Sequence, residues 1–140
     1  MSYPIIKHYQ PLLDLIADKP VFVARRDENL GIITIGYKLL APGSFTGNTE
    51  EESALLRECR GIVFDIETGK VLSRRFHKFG NLNDSNENQI NNIDFSEDHW
   101  IMEKLDGSMV SFIKVRGQFY CMTKMGMTDF SELPIHFMQQ

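Results

Sequence analysis

Cysteine is scarce in this chain of 140 residues, which contains two, Cys59 and Cys121, outside any CxxC or histidine-rich cluster. This gives no support to a disulfide framework or a zinc site, and it is typical of free thiols in a reducing compartment. No run approaches the roughly 18 apolar residues that a membrane-spanning helix needs. The first ten residues, MSYPIIKHYQ, also lack the basic-then-apolar order of a signal peptide. Together these absences predict a cytoplasmic protein without a membrane partner.

Positive charge is not in excess either. Fifteen Lys and Arg stand against 19 Asp and Glu, which gives a formal net charge of -4. A general positive field is therefore excluded as the means of holding nucleic acid. Local basic patches remain open at Arg25–Arg26 and at Arg74–Arg75 with His77 and Lys78, although each is equally consistent with a solvated surface pair.

Hydrophobic periodicity predicts five regular elements along the chain. The helices follow leucine-rich faces, and the second begins at a capping box formed by Thr49 and Glu52. The hairpins follow β-branched and aromatic runs separated by turn residues. In chain order we predict a short helix that starts around Pro11 within residues 7–18, a hairpin over 19–39, a helix over 49–59, a hairpin over 61–76 and a hairpin over 100–115.

The remaining segments are predicted from their polarity and turn residues. Residues 80–92 are rich in Asn and Asp without periodicity and predict a surface loop. Arg116-Gly117-Gln118 predicts a further turn, and a helix is expected from Asp129. Because strands occur as hairpins and do not alternate with helices, the sequence favours an α+β fold with mainly antiparallel sheets and flanking helices over a doubly wound α/β fold.

The third hairpin contains the segment EKLDGS, which would turn at Asp106-Gly107 and place Lys104 at the end of its first strand. A lysine that attacks phosphorus must sit where its ammonium form is disfavoured, such as a desolvated pocket between sheets beside another cation. Gly107 would let the backbone approach a nucleotide closely. Taken alone, however, the segment is also explained by an Asp-Gly turn beside a surface lysine.

Three other segments accompany EKLDGS in a definite order. RECRGIVFD contains Arg60, FHKFGNLND contains Lys78 and Phe79, and MTKMGM contains Lys124. In order and spacing, the four segments resemble the adenylation domain of the ATP-dependent RNA ligases of T-even bacteriophages and their relatives, over about residues 57–127.

The resemblance implies a nucleotidyltransferase (ATP-grasp-like) adenylation fold and a three-step reaction that uses ATP and Mg²⁺. AMP would pass from ATP to the lysine with loss of pyrophosphate, then to an RNA 5′-phosphate, and an RNA 3′-hydroxyl would finally displace it. RNA ends are thus the implied partners. Whether they belong to a cleaved tRNA, and what the oligomeric state is, stays open. The location would be the host cytoplasm if the gene is a phage gene.

Residue by residue, the resemblance implies that Lys104 is the catalytic nucleophile and that Asp106, Gly107 and Ser108 complete its turn. The matching nucleotide contacts are Arg60, Lys78, Phe79 and Lys124.

One position departs from the family pattern. Phe79 keeps the first aromatic residue of the family's K-F-F-N segment, whereas Gly80 stands where the second would be. A packing contact of that second ring is therefore in doubt. Glu58 fits equally well as a carboxylate that supports the site or as a solvated residue at a helix end.

Later motifs of the family, a paired carboxylate, a metal-holding Glu-Gly strand and a closing Lys-x-Lys, do not occur before Gln140. We therefore expect residues 1–140 to form the N-terminal portion of one adenylation domain, incomplete at its C-terminus and without a second domain or metal ligands of its own. Such a chain should ligate RNA little or not at all and adenylylate itself weakly at most. Two alternatives remain: another lysine nucleotidyltransferase, such as a DNA ligase or capping enzyme, and a non-catalytic nucleotide- or RNA-binding module.

Overall fold

The structure is a computed structural model that describes residues 3–39, 41 and 43–127, apart from the side chain of Glu87. Two helices and six strands form: α1 Gln10–Ile16, β1 Phe22–Asp27, β2 Ile32–Tyr37, α2 Glu50–Glu58, β3 Ile62–Asp65, β4 Val71–Ser73, β5 Ser111–Val115 and β6 Gln118–Met122. The helix predicted from Asp129 lies outside the described residues.

All strand pairs in the described chain are antiparallel. Strands β1 to β4 form one sheet in sequence order, and β5 and β6 form a separate two-stranded sheet. This arrangement confirms the predicted α+β class with mainly antiparallel sheets. Among the described residues, no helix is both long and apolar enough to cross a membrane.

Strand β2 lies at the centre of the packing, because all six of its residues are buried. One face of the large sheet packs against both helices, and the opposite face packs against β5 and β6. The helix side buries Leu12, Leu56, Ile33, Ile35, Ile62 and Phe64, and the other side buries Ile32, Val63, Ile113, Val115 and Met122. Each such side chain contributes about 1.5–3 kcal/mol when fully buried, so the layers hold each other in place.

Helix α2 begins at the predicted capping box. The Thr49 side chain accepts a hydrogen bond from the Glu52 N–H at 3.1 Å. The Glu52 carboxylate reaches back to the N–H of Asn48, at 2.7 Å, one residue earlier than in the usual reciprocal pair. The helix ends at Glu58, so its predicted extent over 49–59 is confirmed.

The first two predicted hairpins also form. Asp27 caps the β1–β2 turn by accepting a hydrogen bond from the Leu30 N–H at 3.0 Å. Asp65 accepts from both the N–H and the hydroxyl of Thr68, at 2.7 and 2.8 Å, in the β3–β4 turn. Strand β4 ends at Ser73, so it is shorter than predicted. The Asn-rich segment is mostly exposed, as expected, but contains two short 3₁₀ turns, Asn86–Asn88 and Ile90–Asn92.

The prediction of a third hairpin around Asp106-Gly107 is wrong. Residues 98–110 form neither helix nor strand, and β5 pairs instead with β6 across a turn at Arg116-Gly117. Both turn residues have positive φ, 48° and 85°, as a two-residue hairpin turn requires. The error has a physical cause. A strand is stabilised by backbone hydrogen bonds to a neighbouring strand, and no strand in the described chain pairs with residues 100–105.

Both cysteines are free and buried, as predicted. Burial raises the pKa of the Cys59 thiol to about 12, and the neighbouring carboxylate of Glu58 adds to the increase. This thiol is therefore neutral and unreactive at physiological pH.

Candidate functional site

The main chain of Lys124 runs directly against Gly61, the residue that follows Arg60. A Cβ atom on Gly61 would lie 2.7 Å from the Cα of Lys124, and one on Gly36 would lie 2.9 Å from the Lys124 carbonyl oxygen. Gly61 also has a φ of +87°. A glycine is needed there for both reasons, and the contact brings two of the four motifs together although they are far apart in sequence.

The Lys124 side chain is half-buried and extends over an aromatic ring. Its Nζ lies 4.4 Å from the centroid of the Tyr37 ring, at the end of β2. This cation–π contact fixes the ammonium group at the same end of the sheet as Arg60. Arg25 supports the segment from β1, because its Nη1 donates a hydrogen bond to the carbonyl oxygen of Met125 at 2.5 Å.

The ring of Phe79 lies close to the cationic groups of both Arg60 and Lys78. The guanidinium carbon of Arg60 lies 5.1 Å from the Phe79 ring centroid, and the Nζ of Lys78 lies 5.9 Å from it. Lys78 is held further by hydrogen bonds from its Nζ to the Phe79 carbonyl oxygen and from its N–H to the Arg57 carbonyl oxygen, the latter at 2.7 Å. The ring itself is half exposed. It thus forms an aromatic surface with two cations close to it.

Gly80 leaves room for the Asn-rich loop. A Cβ atom at this position would lie 2.0 Å from the side-chain nitrogen of Asn88. The space that a side chain at position 80 would fill is therefore occupied by an amide from the loop. Lys78, Phe79, Gly80, His77 and Asn88 line a cleft of about 350 Å³, a volume within the range of small-ligand pockets.

Glu58 is not a solvated residue at a helix end. Its side chain is 2% exposed, and its carboxylate accepts a hydrogen bond from the Arg74 Nε at 2.6 Å. This hydrogen bond is the main cause that raises the pKa of Arg74 above its ordinary value. The ion pair links the end of α2 to the chain that follows β4, and it makes Arg74 part of the fold.

The next residue, Arg75, is in the opposite situation. Its Nε and both Nη atoms are buried, and no hydrogen-bond acceptor for them occurs in the described part of the chain. The Nη1 of Arg60 is likewise buried and has no acceptor in the described part of the chain. Burial lowers the pKa of Arg75 to about 10, and the charge of Arg60 lowers it as well. Since that value lies well above 7, the guanidinium remains charged at neutral pH.

In both basic patches suggested by the sequence, the two adjacent arginines make different contacts. Arg26 lies over the Tyr9 ring at 5.9 Å, away from the Met125 contact of Arg25. Arg74 pairs with Glu58, whereas the side-chain nitrogens of Arg75 are buried without an acceptor in the described chain. No local signal in the sequence distinguishes the two arginines, and the prediction of one surface patch did not separate them.

The segment EKLDGS does not join these residues. Lys104, Asp106, Gly107 and Ser108 are all exposed, so the predicted enclosure of Lys104 between sheets is not observed. No other atom lies within 4 Å of a Cβ built on Gly107. Within the described ranges, Lys104 has no hydrogen bond or ion pair to another side chain. Its role as nucleophile stays a prediction.

By fold and site, the protein is an α+β domain with cationic and aromatic side chains gathered at one end of its main sheet, a surface suited to planar ligands that carry phosphate. A family model described as RNA ligase matches residues 58–139. The chain belongs to this RNA ligase family.

A protein of Thermovibrio ammonificans, provisionally named an RNA ligase, is 34% identical over 93 residues. The match covers 66% of this chain and 23% of the relative. The chain therefore spans about a quarter of the length of the curated relative that it matches.

Proposed function

We propose that this chain is the ATP-facing part of an ATP-dependent RNA ligase of the type found in T-even bacteriophages, and that Lys104 carries AMP during the reaction. The observation that carries the proposal is that Arg60 and Lys78 lie at the Phe79 ring, while the main chain of Lys124 packs against Gly61, next to Arg60, at the same end of the sheet. Membership of the RNA ligase family supports RNA as the substrate.

The cluster suits a nucleotide chemically. The exposed half of the Phe79 ring offers a face for a planar base, and the cleft beside it has room for a base and ribose. Arg60 and Lys78 lie at the Phe79 ring, and Lys124 lies over Tyr37 at the same end of the sheet. These cations would stabilise negative charge that develops on phosphoryl oxygens. Arg60 is suited to two phosphate oxygens because its guanidinium forms a planar fork.

In the first step, the neutral amine of Lys104 attacks the α-phosphorus of ATP. A nitrogen–phosphorus bond forms, the bond from that phosphorus to the bridging oxygen breaks, and pyrophosphate leaves while the amine proton passes to solvent. An oxygen of the RNA 5′-phosphate then attacks the same phosphorus and releases the lysine. Finally, an RNA 3′-hydroxyl attacks the 5′-phosphorus, and AMP leaves as the phosphodiester forms.

The exposed position of Lys104 leaves its amine accessible to ATP, but the amine must approach the cluster before it can react. Movement of this segment breaks no strand pairing, because residues 98–110 form no strand.

The described residues contain no evident magnesium-binding site. Within those ranges, no group of three or more His, Cys, Asp or Glu side chains is placed to hold a metal ion. In the proposed reaction, the side chains that would stabilise phosphoryl charge include those of Arg60, Lys78 and Lys124.

The test is covalent labelling of the chain with ATP. We expect peptide mapping by mass spectrometry to find a small fraction of wild-type chain carrying one adenylyl group, on Lys104, and no adduct in Lys104→Ala. Lys114→Ala is the matched control, since this exposed lysine on β5 lies over Phe119 and belongs to none of the four segments. The adduct should fall at least tenfold in Arg60→Gln, given the loss of about 1.5–3 kcal/mol from one charge-assisted hydrogen bond.

Two results would count against the proposal. Labelling of another lysine would exclude Lys104 as the nucleophile. ATP binding without any adduct would instead favour a non-catalytic nucleotide-binding module, a function that the exposure of Lys104 also fits. Transfer of the adenylyl group to 5′-phosphorylated RNA, compared with nicked DNA, separates an RNA ligase from a DNA ligase.

A further inference from the structure

A second cleft is lined by residues whose buried polar groups have no partner within the described part of the chain. It has a volume of about 640 Å³ and lies between the chain after β4 and the start of β5, lined by Arg74, Arg75, Phe76, Met109, Val110 and Ser111 with Tyr3. Two of these residues carry buried donors without an acceptor in the described chain: all three side-chain nitrogens of Arg75, and the hydroxyl of Ser111.

Donors left in this state are costly. A buried, unsatisfied hydrogen-bonding group costs about 1–3 kcal/mol, and more when it is charged. The charge of Arg60 adds repulsion, since it acts against the charged form of Arg75. The adjacent Arg74 shows how this chain satisfies an arginine within the fold, by pairing it with the carboxylate of Glu58 at 2.6 Å. No such carboxylate contacts Arg75 among the residues described.

A ligand that satisfies these groups must be an anion with several acceptor oxygens. The guanidinium of Arg75 carries donors in a planar fork, and the hydroxyl of Ser111, at the start of β5, adds one more. A carboxylate offers two oxygens in one plane, whereas a phosphate group can meet the fork and the hydroxyl at once.

We infer that the cleft between β4 and β5 is a phosphate-binding site in which Arg75 and Ser111 are the direct contacts and Arg60 adds charge. This site is separate from the covalent chemistry proposed for Lys104, because it depends only on donors without acceptors and the space beside them. The phosphate would come either from the polyphosphate of a nucleotide or from the 5′ end of an RNA strand.

Binding should be measured by calorimetry in the Lys104→Ala background, so that no adenylyl transfer occurs. The probes are inorganic pyrophosphate, ATP, and a short oligoribonucleotide with either a 5′-phosphate or a 5′-hydroxyl. We expect Arg75→Gln to weaken pyrophosphate binding at least tenfold and Ser111→Ala to weaken it severalfold. Arg116→Gln is the control, because this exposed arginine bonds to the Asn29 carbonyl oxygen, in the β1–β2 turn.

The probes also distinguish the two sources of phosphate. If Arg75→Gln weakens the binding of ATP and leaves the binding of RNA unchanged, the cleft is assigned to the nucleotide. If the variant weakens only the binding of the 5′-phosphorylated RNA, and the 5′-hydroxyl strand binds the parent and the variant equally, the cleft is assigned to the RNA end. Absence of anion binding by the parent chain, or equal affinity in parent and Arg75→Gln, would overturn the inference.

A stability measurement separates ligand binding from a structural role. Without ligand, Arg75→Gln should melt at the same temperature as the parent or higher, because it removes a buried charge that has no partner. Pyrophosphate should then raise the melting temperature of the parent more than that of the variant. A variant that melts lower and still binds pyrophosphate normally would assign Arg75 to the fold. Loss of the Lys104 adduct leaves this site unaffected, so the two proposals can fail separately.

Discussion

Arg74 and Arg75 are identical side chains at adjacent positions, and their surroundings give them opposite effects on stability. Arg74 compensates the buried carboxylate of Glu58, whereas Arg75 has no acceptor in the described chain. Neither fact can be obtained from the sequence, since both depend on which side of the sheet each residue faces. From the sequence, both arginines were expected in one surface patch, and the role of Glu58 was undecided.

Removing Arg74 should therefore destabilise the protein by leaving Glu58 buried and unpaired. We expect Arg74→Met to lower the free energy of unfolding by about 2–3 kcal/mol, less than for a fully buried pair because Arg74 keeps partial exposure. The double variant Glu58→Met/Arg74→Met should recover most of the loss. Urea denaturation measures both. If the single variant were as stable as the parent, the ion pair would contribute nothing to the fold.

Secondary-structure elements were predicted well where short-range signals define them. The capping box of α2, the aspartate-capped turn of the first hairpin and the Arg116-Gly117 turn are each specified within a few residues, and all three form. The strand expected over 100–105 depends on a partner elsewhere in the chain. Local propensity could not supply that information, and the strand does not form.

The junction between α2 and β3 shows how an element positions the site. Gly61 has a φ of +87°, and a Cβ atom added to it would lie 2.7 Å from the Cα of Lys124. A substitution should therefore both strain the backbone and displace Lys124. The order of the motifs predicted that these segments belong to one site. It did not predict that their main chains touch, which is why a glycine is required.

We expect Gly61→Ala to cost at least about 2 kcal/mol, roughly 1 kcal/mol for the left-handed conformation and the rest for the close contact. Gly117→Ala is a close control, with a φ of +85° and no atom within 4 Å of the added Cβ. It should cost only the conformational part. Thermal unfolding compares the two variants, and equal losses would show that the contact with Lys124 is not tight.

The protein as a whole is acidic, and yet its site gathers cations. Four of them, Arg60, Arg75, Lys78 and Lys124, lie close to one end of the main sheet, while Arg25 and Arg74 are engaged in contacts within the fold. The net charge of -4 predicted that any nucleic-acid contact would have to be local. The distribution of charge agrees with that expectation, and phosphate groups are the ligands it favours.

Trp100 can report whether the Lys104 segment approaches the cluster when ATP binds. It is the one tryptophan in the chain, lies four residues before Lys104 and is 89% exposed. In the free protein its fluorescence should be that of a solvated indole and be readily quenched by acrylamide. If ATP brings the segment onto the sheet, the emission should shift to shorter wavelength and the quenching constant should fall.

The same titration in Arg60→Gln separates closure from nonspecific quenching by nucleotide. The variant should need a higher ATP concentration for the same shift, since it weakens nucleotide binding and leaves Trp100 unchanged. ATP binding detected by calorimetry with no change in Trp100 emission would mean that Lys104 stays apart from the bound nucleotide. In that event the cluster binds ATP without the covalent step, and the chain acts as a binding module.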